Sequence, residues 1–418
     1  RPARSQIMSH SKVIRLDLAP PPPSLTVMTA IDLSLVNSLS AIDPADWDAC
    51  ACPETVDGGR PLDPFTTHRF LHALEQSGSV GAGTGWQPQY LVARKAVTII
   101  AVAPLYAKTH SQGEYVFDHG WADALERAGG QYYPKLQVAV PFSPVPGPRL
   151  LIHPEAGFGP DVLAGALVQA CQGIGASSVH ATFCTEAEWR ALGDAGWLQR
   201  LGTQFHWINP SYRDFDDFLG ALASRKRKAL KRERRDVQAA GLTLRTLRGA
   251  EITPRHWQAF HRFYRATTDK KWGRSAYLTK AFWPLLGERL GDRVLLMVAE
   301  RDGEPVAGAL NLIGRDAIYG RNWGAIVDVP FLHFELCYYM AMDFAIAHGI
   351  SRVEAGAQGE HKIQRGYLPV PTYSAHWIAH PGLARAVGDF LARERPAMER
   401  EMEALATLSP FRQVDEAP

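Results

Sequence analysis

Residues 294–314 read VLLMVAERDGEPVAGALNLIG, two β-rich runs on either side of Arg301-Asp302-Gly303-Glu304, whose Asp-Gly pair suits a tight hairpin turn. This is a β-hairpin. Working outward, AIYGRNWG (317–324) predicts a third strand and a loop ends at Pro330. LHFELCYYMAMDFAIAHG (332–349) is apolar almost throughout and stops at Gly349, which predicts a buried helix with a glycine stop. SRVEAGA (351–357) then predicts another strand. Strand, strand, strand, loop, buried helix, strand is a mixed α/β unit with its helix packed on the sheet.

The first half repeats that order. YLVARKAVTIIAVAPLYAK (90–108), EYVFDHGW (114–121) and KLQVAV (135–140) read as strands, the Pro/Gly-rich PFSPVPGPRLL (141–151) as a loop, PDVLAGALVQACQGIG (160–175) as a helix and SSVHATF (177–183) as a strand. Around the helix stop, Gly175, Ser177, Val179 and Ala181 match Gly349, Ser351, Val353 and Ala355 at one constant offset. Shared element order and shared spacing together indicate an internal duplication into two similar α/β domains.

Length and composition agree. A chain of 418 residues with 46% hydrophobic and 21% charged residues is that of a globular protein large enough for two or three cores, not of a disordered or collagen-like one. Five cysteines make no disulfide framework, since Cys50 and Cys52 lack a second pair and Cys171, Cys184 and Cys337 sit in apolar stretches; a reducing cytoplasm is the expected location. No run of about 18 apolar residues spans a bilayer. Residues 1–28, with prolines at 20–23, read as a disordered leader. The expected division is a first domain over 29–210, a second over 211–382 that includes a basic helix over 219–238, and a C-terminal helix and tail over 383–418, with Pro396 as a kink or break.

The basic helix contains SRKRKALKRERR (224–235), eight Lys/Arg and one acid in a chain whose net charge is only +2. Such concentration predicts either a local anion site or a solvated helix face, and charge alone does not distinguish tRNA, a nucleotide-linked substrate or coenzyme A. Downstream, VEAGAQGEHKIQRGYLPVPTYSAHW (353–377) is dense in function-capable groups: Glu354, Gln358, Glu360, His361, Lys362, Arg365 and Tyr367, with Gly356, Gly359 and Gly366 permitting close backbone approach. Its alternative is a polar surface loop. In the first half Asp118, His119, Trp121, Tyr133, Lys135 and Arg149 offer a pocket wall with polar contacts, or equally a packed core with a turn cap. Glu335 in the buried helix and Arg321 in the third strand complete the set. Neither a nucleoside-triphosphate loop nor a G-x-S-x-G elbow occurs, and although His376 and His380 stand four apart, Pro371 and the strand-like context argue against a metal site.

At these residues the chain resembles the FemAB-like family of N-acyltransferases, within the wider GNAT group, from about Asp43 to His380. The likeness rests on GEYVFDHGWADA, YYPKLQVAVPFSPVPGPRLL, QFHWIN, SRKRKALKRERR, FYRATTDKKWG, LHFELCYYMAMDFAIAHG and EAGAQGEHKIQRGYLP. It implies two tandem GNAT-like domains and acyl transfer to a small-molecule amine or peptide acceptor, with no tightly bound cofactor. The donor is an acyl-CoA, as in classical GNAT members, or an aminoacyl-tRNA, as in the Fem peptidoglycan-branching enzymes. The Q/R-x-x-G-x-G/A pyrophosphate loop of acetyl-CoA enzymes is not evident, and the long Fem helical arm has at most a short counterpart in 224–235. Lys362 with Gly366 and Tyr367 is similar to the Fem lysine-glycine-aromatic pattern, which implies a ligand-contacting role for Lys362.

Acyl transfer needs a base for the amine proton and donors for the oxyanion. Glu360 or His361 is the expected base; Lys362 or backbone amides would steady the oxyanion, and Arg149, Arg321, Lys226 or Arg227 would hold donor phosphates. The alternatives are a recognition protein for cell-wall precursors that performs no chemistry and an RNA-binding protein that uses the basic helix.

Overall fold

The computed structural model describes residues 13–14, 31–53, 62–272, 276–356 and 359–412. The leader expected over 1–28 lies outside these residues apart from Val13–Ile14, which pair with Ser34 and Leu33.

Among the described residues, eleven strands form one large sheet. In chain order they are β1 (Trp86–Pro88), β2 (Leu105–Lys108), β3 (Lys135–Val138), β4 (Ser178–Cys184), β5 (Leu198–Ile208), β6 (Thr243–Arg248), β7 (Val294–Arg301), β8 (Glu304–Ile313), β9 (Ala317–Ala325), β10 (Arg352–Glu354) and β11 (Leu368–Ile378). In space they run β6-β7-β8-β9-β10-β5-β11-β4-β3-β2-β1. A five-stranded sheet containing Ile31–Val36, Tyr90–Lys95 and Thr98–Ala103 lies beside it.

Among the described residues the large sheet has two parallel pairings, β9 with β10 and β3 with β4. Each is bridged by a helical segment: Pro160–Ile174 joins β3 to β4, and the run from Leu332 to Ala347 joins β9 to β10. Both stops are left-handed glycines, Gly175 at φ 75° and Gly349 at φ 64°, so the duplication seen in the sequence is also one of backbone geometry. The two units are α/β folds that share a continuous sheet. β5, the last strand of the first unit, pairs antiparallel with β10 of the second, and β11 pairs with both β5 and β4.

Both faces of the second unit are covered. Leu296 and Val298 of β7 pack in the core with the helices Pro254–Trp272 and Phe282–Leu290, while Leu295, Met297 and Ala299 pack on the opposite face against the helix that starts at Leu332. The predicted hairpin forms, with Asp302 and Gly303 both at positive φ (52° and 76°), as an Asp-Gly turn requires. EYVFDHGW is not a strand. Glu114 and Asp118 turn inward onto the buried Lys135, Tyr115 takes φ 62°, and a helix starts at His119. Pro396 does not break the C-terminal helix, which runs unbroken from Pro381 to Ala406 with the proline on its exposed side.

The seat of helix Pro254–Trp272 is a glycine pair. Gly308 and Gly324 are cross-strand partners, and a Cβ on Gly324 would lie 2.1 Å from the backbone oxygen of Phe263. Gly324→Ala should therefore cost about 1–3 kcal/mol through overpacking. Urea unfolding reads this as a lower midpoint at unchanged slope; an unmoved midpoint would mean that the helix is not seated there.

Candidate active site

β9 and β10 pair over only three residues, Ala317–Tyr319 with Arg352–Glu354. β9 then continues to Ala325 while the chain leaves β10 through Ala355 and Gly356, and the strands splay. Just beyond the last paired residue, the β8–β9 register shifts: Asn311 faces Gly320 and Leu310 faces Asn322, which leaves Arg321 as the extra residue of a β-bulge. A cavity of about 540 Å³ fills the splay, and the bulge, Ala355 and Gly356 form part of its wall.

Three other elements close it. Tyr264, Thr267 and Thr268 come from the helix seated on Gly324, and Phe142 and Pro144 reach across from the first unit's loop. Cys337 and Tyr338 come from a π-helical turn, Glu335–Tyr339, that interrupts the helix after β9. Such a wide turn changes which side chains face the sheet and recurs at functional sites.

Lys362 and His361 reach the cavity from a 3₁₀ segment, Glu360–Arg365, that ends in Gly366 at φ 89°. Lys362 is only 3% exposed and its ammonium donates to the Gly356 carbonyl at 2.8 Å. Burial pushes it down to about 8, so near neutral pH it remains a cation with little solvent to satisfy it. His361 sits exposed at the mouth, its Nε2 3.0 Å from the Tyr338 hydroxyl. Partial burial, with Arg365 and Lys362 nearby, lowers its pKa, which favours the neutral imidazole that can accept a proton. Arg321 donates to the Phe142 carbonyl at 2.6 Å and lies over the Phe65 ring, so it ties the bulge to the first unit. The side chain of Glu360, like residue Gln358, lies outside the described residues.

The structure brings Arg321, His361 and Lys362 to one cavity and places the other sequence candidates elsewhere. Arg365 lies behind the 3₁₀ segment, paired with Glu233 of the basic helix at 2.8 Å. Glu335 is consumed by Arg234 at 2.8 Å, and Tyr367 is fully buried beside Tyr338. Lys226 bonds Gln364, Arg227 is half-buried on the same helix, and neither lines the cavity. Asp118 and Lys135 form a buried ion pair with Glu114, 2.7 Å from the same ammonium, and Tyr133 reaches this cluster through Ser111. Trp121 packs edge-on against His376, while His119 is exposed and stacks on Phe117. That cluster is self-neutralising: burial alone would raise Asp118, but Lys135 draws it well below the usual carboxylate range.

Arg149 ties down the loop after β3. It is 1% exposed, and its guanidinium donates to the carbonyls of Val145 (2.6 Å), Thr182 (2.9 Å), Pro148 (3.0 Å) and Gly147 (3.2 Å). It stitches the loop after β3 onto β4. Sequence reasoning missed Tyr264, Tyr277, Asn311, Asn322, Trp323, Cys337 and Tyr338 at the splay. Asn311 alone carried a signal, as the one amide in the apolar strand EPVAGALNLI.

A family model described as FemAB-like, peptidoglycan biosynthesis/recognition, matches residues 38–413. No curated protein matches the chain by sequence. Among solved structures, FemX superposes with a TM-score of 0.51 at 10% identity, over 83% of this chain and 98% of its own. L-PGS from Bacillus licheniformis gives 0.48 at 12% identity over 80% and 98%. A tandem GNAT protein from the clavulanic acid biosynthesis pathway gives 0.45 at 12% over 84% and 99%. At such identity the likeness to FemX is one of fold. No helix among the described residues is long and apolar enough to cross a membrane.

Proposed function

Given that the chain belongs to the FemAB-like family, we propose that it transfers an acyl or aminoacyl group from an activated donor to an amine, in the cavity between β9 and β10. The observation that carries this reading is the convergence of Lys362, His361 and Arg321 on that splay. In this reading the second unit, residues 211–382, supplies the chemistry, and the first, residues 29–210, supplies a wall through Phe142 and Pro144.

The roles follow from the geometry. A neutral amine attacks the acyl carbonyl, a C–N bond forms, and His361 takes the amine proton. Lys362 places positive charge where the oxyanion develops, in a site with little water to compete. Collapse of the tetrahedral adduct expels the carrier, and the imidazolium of His361 returns the proton to the leaving sulfur or oxygen. No acyl-enzyme intermediate is needed, and burial pushes the Cys337 thiol up, away from nucleophilic thiolate.

Both donor classes have a polyanionic carrier, and the basic helix Ser224–Gln238 packs behind the 3₁₀ segment through Lys226 and Glu233. Its outer face exposes Arg225, Lys228, Arg232 and Arg235, in keeping with a donor whose phosphates extend beyond the cavity. Incubation with acyl-CoAs and with aminoacyl-tRNAs, each with a pool of amines, separates the two: amide formed from one class identifies the donor, and from neither refutes the reading. His361→Asn should lower kcat by about 10²-fold, at the low end for a general base because water reaches the mouth. The acid limb of the wild-type rate should have its midpoint below the ordinary histidine value; full turnover in the variant would remove His361 from the mechanism.

A further inference from the structure

Arg321 stands apart from Arg149, Arg234, Arg352 and Arg365. Arg234 meets Glu335 and Asp343, Arg352 meets Glu354 and Asp316, Arg365 meets Glu233, and Arg149 meets four carbonyls. Arg321 donates to one carbonyl, that of Phe142, and its remaining N–H groups have no acceptor among the described residues. The acid whose charge reaches it is Glu354, and Arg352 already holds that carboxylate at 2.9 Å. Arg321 lines the cavity from β9, while Lys362 lines it from beyond β10. None of the described residues that line the cavity is acidic. An amine that enters as a bare ammonium therefore meets two cations and no counter-charge, whereas one that brings its own carboxylate balances Arg321.

Asn311 supplies the complementary group. It lines the same cavity, is 1% exposed, and faces Gly320, the residue before Arg321, across the bulge. Its amide nitrogen points at the carbonyls of Ala309 (3.3 Å) and Leu295 (3.4 Å), which sets the side-chain orientation and turns Oδ1 away from them. Oδ1 accepts no hydrogen bond among the described residues. A Cβ on Gly320 would stand 3.5 Å from that oxygen, so the glycine keeps the space before it open. A buried carbonyl oxygen without a donor is costly, and the N–H of an amine supplies one. An oxygen short of a donor and a guanidinium short of an acceptor thus lie on neighbouring strands at the bulge.

We propose that Arg321 is a specificity-determining residue for an acceptor that carries a carboxylate beside its amine, an amino acid or an amine of like chemistry. Arg321 takes the carboxylate, and Asn311 Oδ1 accepts an N–H of the amine. That this ligand is the acceptor rests on the acyl-transfer reading above, whereas its recognition by Arg321 and Asn311 is a matter of binding alone.

Isothermal titration of the full chain compares L-alanine, L-leucine, L-lysine and L-phenylalanine with the amines that lack their carboxylate: ethylamine, isopentylamine, 1,5-diaminopentane and phenethylamine. At least one of the amino acids should bind saturably, about tenfold or more tightly than its partner amine. Arg321→Gln should abolish that preference and Arg321→Lys should keep part of it. Asn311→Leu should weaken the amino acid and leave the preference in place; thermal melts check that each variant is folded. Pyrophosphate, standing in for donor phosphates, should not displace the amino acid. Absence of saturable binding by all four amino acids, equal affinity within every pair, or a preference that survives Arg321→Gln would each overturn the assignment. Displacement by pyrophosphate that Arg321→Gln abolishes would give Arg321 to the donor and overturn it as well. Amide formation measured in parallel keeps the two readings apart. An Arg321-dependent preference with no amide from any donor refutes transfer alone, and amide formed from the partner amines at the same rate as from the amino acids, in wild type and Arg321→Gln alike, refutes this inference alone.

Discussion

Lys362→Met should lower kcat about 10²- to 10³-fold while leaving the protein at least as stable as the wild type. The rate loss is the cost of removing one preorganised donor from a developing oxyanion. The stability follows from the surroundings: Lys362 is a buried cation whose ammonium has one hydrogen bond among the described residues, to the Gly356 carbonyl, with the Phe205 ring 6.0 Å away. Replacing such a charge with an apolar side chain of similar volume relieves desolvation and packs as well. A variant that stays folded and loses turnover separates chemistry from fold, which Lys362→Ala, with its cavity, would not. The pH dependence has a definite sign. With its pKa lowered to about 8, Lys362 loses its charge as pH rises through that value, so the wild-type rate should fall above about pH 8, whereas a solvent-exposed lysine would hold its charge to beyond pH 10. A rate that stays flat to pH 10, or full turnover in Lys362→Met, would take Lys362 out of the reaction.

Arg365→Ala should be the most destabilising single change near the site, by about 3–5 kcal/mol, because it strands a buried acid. Arg365 bonds both oxygens of Glu233 (2.8 and 3.2 Å), the Tyr339 hydroxyl (3.0 Å) and the His361 carbonyl (2.8 Å), and its guanidinium lies 3.4 Å from the Phe334 ring centre. One side chain thus joins the basic helix, the π-helical turn and the 3₁₀ segment that carries His361 and Lys362. The double change Arg365→Met with Glu233→Leu removes both charges and should recover much of the stability. It would not restore the bond to the His361 carbonyl, so turnover should stay low. Equal stability of Arg365→Ala and the double variant by denaturant unfolding would contradict this account of the pair.

The sequence reading succeeded where the signals are local. The Asp302-Gly303 turn, the glycine stops at 175 and 349, and the apolar run from Leu332 each depend on neighbours a few residues away, and all three appear in the structure as read. The exchange at the sheet centre was not legible, because β5 finds β10 and β11 across more than 140 residues and strand composition does not specify a partner. EYVFDHGW misled because aromatic density reads as strand, whereas its inward-turning acids answer to Lys135, a residue remote in the sequence. The same ambiguity governs the site. Polar residues amid glycines flagged His361 and Lys362, but Asp118, Lys135 and Arg149 gave an equally strong signal and proved to be engaged by buried partners of their own. Which clusters are satisfied depends on what the fold sets opposite them. A cavity wall drawn from many separate elements, with two to four residues from each of the main ones, leaves no pattern in any one of them.

Amide formation compared between wild type and Thr267→Trp tests the central claim most directly. Thr267 faces the cavity between β9 and β10, and an indole there would occupy the space that donor and amine must share. With a reactive donor from either class and a mixed amine pool, mass spectrometry should detect an N-acylated product from the wild type and none from the folded variant. Equal product from both, or no product from the wild type with any donor, would contradict the assignment of acyl transfer to this cavity.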